Sequence, residues 1–264
     1  MTAKRRADLL LVERGLAASR QEAQRLLLAG KVQTAGRRVE KAGELLPAEA
    51  PLSVDGPLHP FVSRGGVKLA HALERFRVDP AGRVCLDVGA STGGFTDCLL
   101  QRGARLVIAV DVGYGQFAAR LREDPRVHLL ERTNIRTLTP ERLPNRPDLA
   151  VIDVSFISLS LVLPPVLGLL AGPAEIVALV KPQFEAGRER VGKRGVVRDP
   201  AVHREVLAQA VAAAAGLGLG LLDATASPLL GPEGNREFLI HLARAAGRAD
   251  AVDLIAAAVG PAGA

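Results

Sequence analysis

Two lysines and two carboxylates stand where a chain of alternating helices and strands gathers polar groups for chemistry. Asp153 ends the apolar run LAVID, and Lys181 follows EIVALV and opens KPQF. Lys68 lies in SRGGVKL, and Glu237 lies in GNREFL just before the last apolar run. Taken singly, each is most simply a surface charge or half of an ion pair. Asp153 and Lys181 resist that reading. Each directly follows an apolar strand, so each is expected to be partly buried and to need a partner. A second cluster is the run DVGASTGGFT, Asp87 to Thr96. Gly89, Gly93 and Gly94 let the backbone approach a ligand and leave amides free at a helix N-terminus, with Ala90, Ser91, Thr92 and Phe95 completing the loop. The next strand ends at Asp111, followed by Val112, and a carboxylate there suits the ribose hydroxyls of a nucleoside. NAD or FAD is the alternative occupant. Against it, the spacing is G-A-S-T-G-G rather than G-x-G-x-x-G, and Asp87 would repel a pyrophosphate. The same carboxylate suits the positive sulfonium or amino group of S-adenosylmethionine, which makes a methyltransferase the favoured reading. Asn134, after the third strand, is placed to touch an adenine or equally to serve its own loop.

These groups need elements to hold them. Residues 7–15 predict a short helix ending at Gly15, and Ser19 with Glu22 fits a capping box that opens a second helix running to Gly30. Strand-like pieces follow at Val32 to Thr34, at Val39, and at Leu52 to Val54. Residues 1–56 thus form a small α+β unit, and 57–66, rich in Pro and Gly, read as a linker. From 67 to 264 the pattern alternates. Helices are expected at Val67 to Phe76, Phe95 to Arg102 and Gln116 to Glu123. Strands are expected at Val84 to Val88, Leu106 to Val110, Val127 to Leu130, Leu149 to Ile152, Ile176 to Val180, Leu219 to Ala224 and Phe238 to Leu242. Short apolar runs between helices predict an α/β domain with a parallel, doubly wound, Rossmann-like sheet covered on both faces. The stretch Leu161 to Val180 is the most membrane-like, but Pro164, Pro165, Pro173 and Glu175 break it into a helix, a turn and a buried strand. The Ala-rich residues after Gly247 suggest a terminal helix.

Composition narrows the partners. Aromatic residues make up only 3% of the 264, so the core is aliphatic and any grip on nucleic acid is electrostatic rather than base-stacking. Residues 1–48 carry ten Lys/Arg against five Asp/Glu, while the rest of the chain is nearly balanced. A basic module facing a polyanion accounts for that asymmetry, and a solubilising surface is the plain alternative. Cys85 and Cys98 sit in apolar context, as expected of buried free thiols in a reducing, cytoplasmic setting. Neither they nor the histidines have metal-ligand spacing, so no metal is expected. The start MTAKRRADLLLVERG does not read as a signal peptide.

Together these motifs carry a resemblance. Lys68, Asp153, Lys181 and Glu237 resemble the K-D-K-E tetrad of the FtsJ-like ribose 2′-O-methyltransferases. SRGGVKL, DVGASTGGFT, DVGYGQ, ERTNIR, DVSFIS, LVKPQFE and GNREF, in that order, closely resemble the TlyA family. Its members methylate cytidine 2′-hydroxyls in ribosomal RNA, and some have been called haemolysins. Residues 6–56 resemble the RNA-binding domain of ribosomal protein S-four, with Ala35-Gly36 standing where an Asn-Gly turn is usual. The resemblance implies S-adenosylmethionine as methyl donor, ribosomal RNA or a ribosomal subunit as partner, and neither metal nor membrane. A ribose 2′-hydroxyl is a weak nucleophile and must lose its proton as the methyl moves. A lysine kept from water and close to another cation can act as the base. Lys181 is then the expected base, with Lys68 as the neighbouring cation. Asp153 orients Lys181, and Glu237 positions the ribose or holds Lys68, its loss partly made good by water.

For RNA, the small unit offers Arg6, Ser19, Arg20, Arg25, Lys31 and Lys41, among which the resemblance singles out Ser19-Arg20 and Gly30-Lys31. Arg64, and Arg188, Lys193 and Arg194 in the loop GRERVGKRGVVRDP, are placed to grip phosphates beside the active site; a solvated loop is the equal alternative. Two rivals come from other classes. A membrane-acting haemolysin needs an unbroken apolar segment. A non-catalytic RNA-binding factor has no need of Lys181 and Asp153 together.

Overall fold

A computed structural model of the chain describes residues 4–17, 19–55, 60–192, 195–244, 248 and 250–260. They fall into two units, Met1–Pro60 and Phe61–Ala264, so residues 61–66, read above as linker, lie in the second.

In the first unit, β1 (Lys4–Arg6) leads directly into α1 (Ala7–Glu13). Then come α2 (Arg20–Leu28), β2 (Val32–Thr34), β3 (Arg37–Arg38), β4 (Leu45–Pro47) and β5 (Leu52–Val54). β1 pairs with β4, and β2 lies between β3 and β5, all antiparallel. Leu10, Leu11, Leu26, Leu27, Val32, Val39 and Leu46 pack the core. Ser19 caps α2 as expected, its Oγ accepting from the Glu22 amide at 3.2 Å. Asp8 is a wholly buried carboxylate. Arg6 donates to it twice, at 3.0 and 2.9 Å, Arg20 at 2.9 Å and Gln24 at 3.2 Å. These donors, Arg6 foremost, hold its carboxyl well below the usual range against the cost of burial.

The β2–β3 hairpin turns on Ala35 and Gly36, at φ +46° and +78°. A two-residue turn of this kind needs both residues left-handed, which is why Asn-Gly is the common solution. An alanine held there is strained by roughly 1 kcal/mol, whereas asparagine visits that region routinely. Ala35→Asn is therefore expected to stabilise the first unit by up to about 1 kcal/mol. A denaturation midpoint that does not move would show that the turn carries no such strain.

The second unit opens with α3 (Gly65–Phe76), β6 (Val84–Val88), α4 (Gly94–Gln101), β7 (Leu106–Val110), α5 (Ala119–Arg122), β8 (Val127–Leu130) and β9 (Leu149–Ile152). It continues with α6 (Leu159–Leu169), β10 (Glu175–Val180), α7 (Pro182–Glu185), α8 (Pro200–Ala215), β11 (Gly220–Ala226), β12 (Phe238–Ala243) and α9 (Ala251–Val259). The strands form one sheet in the order β11-β12-β10-β9-β6-β7-β8. β10, β9, β6, β7 and β8 are parallel, but β12 is antiparallel to both of its neighbours, which corrects the all-parallel expectation. The reason is local. No helix separates β11 from β12, so the chain turns back on itself without a crossover.

The expected helix over 116–123 shrinks to the single turn of α5. α8, to which the sequence reading gave no element, starts at Pro200 with the Asp199 side chain accepting from the Ala201 amide at 2.8 Å. Side chains of Leu86, Ile108, Ile152 and Phe238 pack one face of the sheet against α6, α8 and α9. Those of Cys85, Val107 and Val151 pack the other against α3 and α4. Cys85 and Cys98 are free and buried, and burial pushes each thiol up to about 12. Among the described residues no helix is long and apolar enough to cross a membrane.

Candidate active site

The parallel strands end on one edge, and the loops leaving β6, β7, β9 and β10 meet there, where an open α/β sheet binds its ligands. Gly89 leaves β6 at φ +86°, and a Cβ on it would lie 2.4 Å from the Asp153 carbonyl oxygen. Only glycine lets the ends of β6 and β9 come so close. The loop then folds over, the Gly93 amide donating to the Ala90 carbonyl at 2.7 Å, and enters α4.

Two cavities open on this edge. The larger, of about 700 Å³, is walled by Lys68, Asp153, Lys181 and Glu237 and by the loop residues Gly89, Ala90, Ser91, Thr92, Gly94 and Phe95. The smaller, of about 380 Å³, lies among apolar Val88, Val110, Ile135 and Val162 and carries Asp111, Val112 and Asn134. Gly89, Ser91, Asp153, Ser155 and Phe156 border both. The Asp111 carboxylate is fixed by the amides of Ser91 at 2.7 Å and Gly113 at 2.6 Å. Each of its oxygens keeps a second lone pair for a hydroxyl. Asn134 Oδ1 accepts from the Arg136 amide at 3.0 Å. An apolar slot ending in an anchored carboxylate fits a nucleoside, and its continuation under the glycine loop fits a charged tail.

Asp87 and Gly93 border neither cavity, contrary to the expectation that both touch the cofactor. Alternation along β6 turns Asp87 to the same face as Cys85, beneath α4. Its Oδ2 accepts from Thr96 Oγ1 at 2.6 Å, while its buried Oδ1 has no hydrogen-bond partner among the described residues. Burial pushes this carboxyl up to about 7; the Thr96 hydroxyl opposes the shift, and Asp153 and Asp111 add to it. The folded state therefore holds a proton that the unfolded chain releases near 3.8. The corresponding stability is present below that pH and lost as pH rises through about 7. Asp87→Asn should flatten this loss, on the order of 3–4 kcal/mol, in urea titrations of the ligand-free protein between pH 4 and 8. Parallel pH profiles for wild type and variant would refute the assignment.

Lys181, the residue after β10, lies 2.5 Å from Asp153 Oδ1 and donates to Ser155 Oγ at 3.0 Å. Lys68, in the first turns of α3, is paired with Glu237, both side chains nearly sealed from solvent at 7% and 1% exposure. The expected neighbourhood of two cations is thus two separate ion pairs on one chamber. β12 brings Glu237 there by its reversed direction. Phe238 lies opposite Val180, so Glu237 and Lys181, each next in line, leave the sheet at the same edge.

Among the chamber residues that went unassigned in the sequence, Ser155, Phe156 and Asn235 stand out. Ser155 and Phe156 lie within DVSFIS; Phe156 has φ +64°, is 90% exposed and sets its ring 4.8 Å from that of Phe184. A large side chain in that backbone region is a feature of functional sites, but it leaves no sign in the sequence. Asn235 accepts from the Val197 amide at 2.9 Å and donates to the Gly195 carbonyl at 2.8 Å, holding residues 195–197 at the chamber wall. Its place two residues before Glu237 was the signal available.

Of the RNA candidates, Arg6 and Arg20 are tied to Asp8, and Ser19 to its cap. Arg20 uses only Nε there, which leaves its terminal nitrogens to reach a phosphate. Arg25 and Lys31 are half-buried and Lys41 is exposed. Arg64 borders the larger cavity and donates to the Leu230 carbonyl at 2.7 Å. The side chain of Arg188, and Lys193 and Arg194, lie outside the described residues.

A nucleoside slot that runs under a glycine loop into a chamber of lysine–carboxylate pairs defines a Rossmann-type methyltransferase rather than a dinucleotide enzyme. Comparison with known proteins agrees. The FtsJ-like methyltransferase family matches residues 61–244, and the S4 domain matches residues 5–50. The 16S/23S rRNA (cytidine-2′-O)-methyltransferase TlyA of Mycobacterium tuberculosis is 50% identical over 92% of this chain and 91% of its own length. Hemolysin A of Brachyspira hyodysenteriae is 38% identical over 89% of this chain and 98% of its own length. A solved structure of a protein called a hemolysin, from Streptococcus thermophilus, matches with a TM-score of 0.76 at 41% identity, covering 98% of this chain and 96% of that one. The chain belongs to the FtsJ-like methyltransferases, within the TlyA family, with an S4 domain ahead of the catalytic unit.

Proposed function

We propose that this protein transfers a methyl group from S-adenosylmethionine to a cytidine ribose 2′-hydroxyl of ribosomal RNA, in the cytoplasm. The observation that carries this reading is the Lys181–Asp153 pair, 2.5 Å apart, sharing one chamber with the Lys68–Glu237 pair beside the glycine loop. S-adenosylmethionine, when bound, supplies an electrophilic methyl group on a sulfonium. Asp111 would accept its ribose hydroxyls, Asn134 would meet its adenine edge, and the loop from Gly89 to Gly94 would hold its tail. Lys181, in its neutral amine form, takes the 2′-hydroxyl proton on the Nζ lone pair while its own N–H groups point to Asp153 and Ser155, which hold that nitrogen in line. Lys68, held by Glu237, steadies the ribose oxygen electrostatically. Most of the acceleration then comes from alignment. The basic first unit supplies the sequence-independent grip on RNA. By their names, the M. tuberculosis relative acts on both 16S and 23S rRNA, whereas the relative from Campylobacter jejuni, 36% identical, acts on 23S rRNA.

The test is incubation with labelled S-adenosylmethionine and purified 30S or 50S subunits, followed by primer extension at low nucleotide concentration. Label at a cytidine, with a stop diagnostic of 2′-O-methylation, is the expected result. Label on a base, or in neither subunit, would reject the reading. For the cofactor, Asp111→Ala removes a charged acceptor. It should weaken calorimetric binding of S-adenosylmethionine by about ten- to a hundredfold, the equivalent of one charge-assisted hydrogen bond. Unchanged affinity would place the nucleoside elsewhere.

A further inference from the structure

We infer that Glu185 is a positioning residue for methyl transfer, tying the loop that carries Asp153 to the helix that follows Lys181; the inference rests on the function proposed above. Glu185 ends α7, one helical turn beyond Lys181. Its Oε2 accepts from Ser158 Oγ at 2.6 Å and its Oε1 from the Leu159 amide at 2.8 Å. Ser158 is the N-cap of the 11-residue α6, and its Oγ accepts in turn from the Ser160 amide at 3.2 Å. One carboxylate therefore takes both an orphan amide at a helix start and the hydroxyl that caps it, where the helix dipole favours negative charge.

The placement matters because of what lies on either side. β9 and β10 are parallel neighbours, Ile152 opposite Ala178, so the loops leaving them begin side by side. They are joined twice. At the chamber, Lys181 reaches Asp153 and Ser155. Behind it, Glu185 reaches Ser158 and Leu159. The rings of Phe156 and Phe184 meet between the two ties. Capping α6 alone would need only Ser158. A second acceptor sent from the neighbouring strand's loop fixes the separation of the two loops as well. Burial pushes the Glu185 carboxyl up, and the Ser158 hydroxyl and Leu159 amide oppose that shift. The fold thus carries a desolvated carboxyl where it braces the Lys181–Asp153 pair from behind.

Glu185→Ala should lower the single-turnover rate constant on ribosomal subunits by about ten- to a hundredfold, the scale of an ångström misplacement of reacting groups. A merely structural role would reduce the amplitude of the turnover, the fraction of active protein, and leave the rate constant alone. Glu185→Gln keeps an oxygen for the Leu159 amide and can donate to Ser158 Oγ, so it should recover most of the rate. Ser158→Ala cuts only one tie and should fall between; it carries the same comparison if Glu185→Ala does not fold. A crystal structure of Glu185→Ala should show Lys181 no longer meeting both Asp153 and Ser155. A Glu185→Ala rate constant within about twofold of wild type, a Gln variant as slow as the Ala variant, or an undisturbed Lys181–Asp153 pair would each overturn the inference. If the wild type itself transfers no methyl group, the proposed function fails, and the crystal geometry still decides the role of Glu185.

Discussion

Lys181→Ala is expected to slow methyl transfer by about 10²- to 10⁴-fold, the usual contribution of a general base, while binding of cofactor and ribosomal subunits stays near that of the wild type. The argument is geometric. Lys181 leaves the sheet at the mouth of the chamber with its Nζ held between Asp153 Oδ1 and Ser155 Oγ. A residue that matters only as the proton moves affects the rate and not the preceding binding steps. Lys181→Arg should be nearly as slow. A guanidinium stays protonated, and its planar fork is too large for a position where one nitrogen lies 2.5 Å from Asp153. Single-turnover rates with pre-bound subunits decide the matter. A Lys181→Arg enzyme close to the wild-type rate would reduce Lys181 to an electrostatic clamp.

Lys68→Ala and Glu237→Ala should each destabilise the protein by about 3–5 kcal/mol, because either change leaves the other charge buried and unpaired. This departs from the sequence expectation that water could partly replace Glu237. The two side chains are 7% and 1% exposed, which leaves little solvent access to make up the loss. For a unit of this size the shift in Tm should be on the order of 10 °C. The double change Lys68→Met with Glu237→Leu should restore most of that stability, as apolar replacements of buried ion pairs commonly do, yet remain inactive. Thermal melts and transfer assays on the same three variants separate the two roles of the pair. Single variants that melt with the wild type would show the pair to be solvated, and would restore the water-replacement view.

Much of the fold was legible because its signals are local and strong. β6, β7, β8 and β9 stand where short aliphatic runs placed them, and Ser19 caps α2 as the spacing to Glu22 predicts. The errors arose where composition alone does not decide. The direction of β12 depends on the missing helix between it and β11, a matter of chain return rather than composition. The sequence places Asp87 beside the glycine loop but does not say which face of β6 it takes until the register with β7 and β9 is fixed. The tetrad itself could be read because three of its members flank apolar strands. Its division into two ion pairs could not, since Lys68 and Glu237 are 169 residues apart. Glu185 was invisible for a similar reason. It stood within LVKPQFE, but its partner Ser158 belongs to the neighbouring strand's loop.

Because β12 enters between β10 and β11, the last strand described along the chain is an interior strand. Before it docks, β10 is an open edge and β11 has no strand beside it. The nucleoside slot, built on β6, β7 and the loop after β9, takes no lining residue from β12. The Lys68–Glu237 pair depends on β12, because Glu237 directly precedes that strand. Ligand recognition and chemical competence therefore rest on different strands of one sheet.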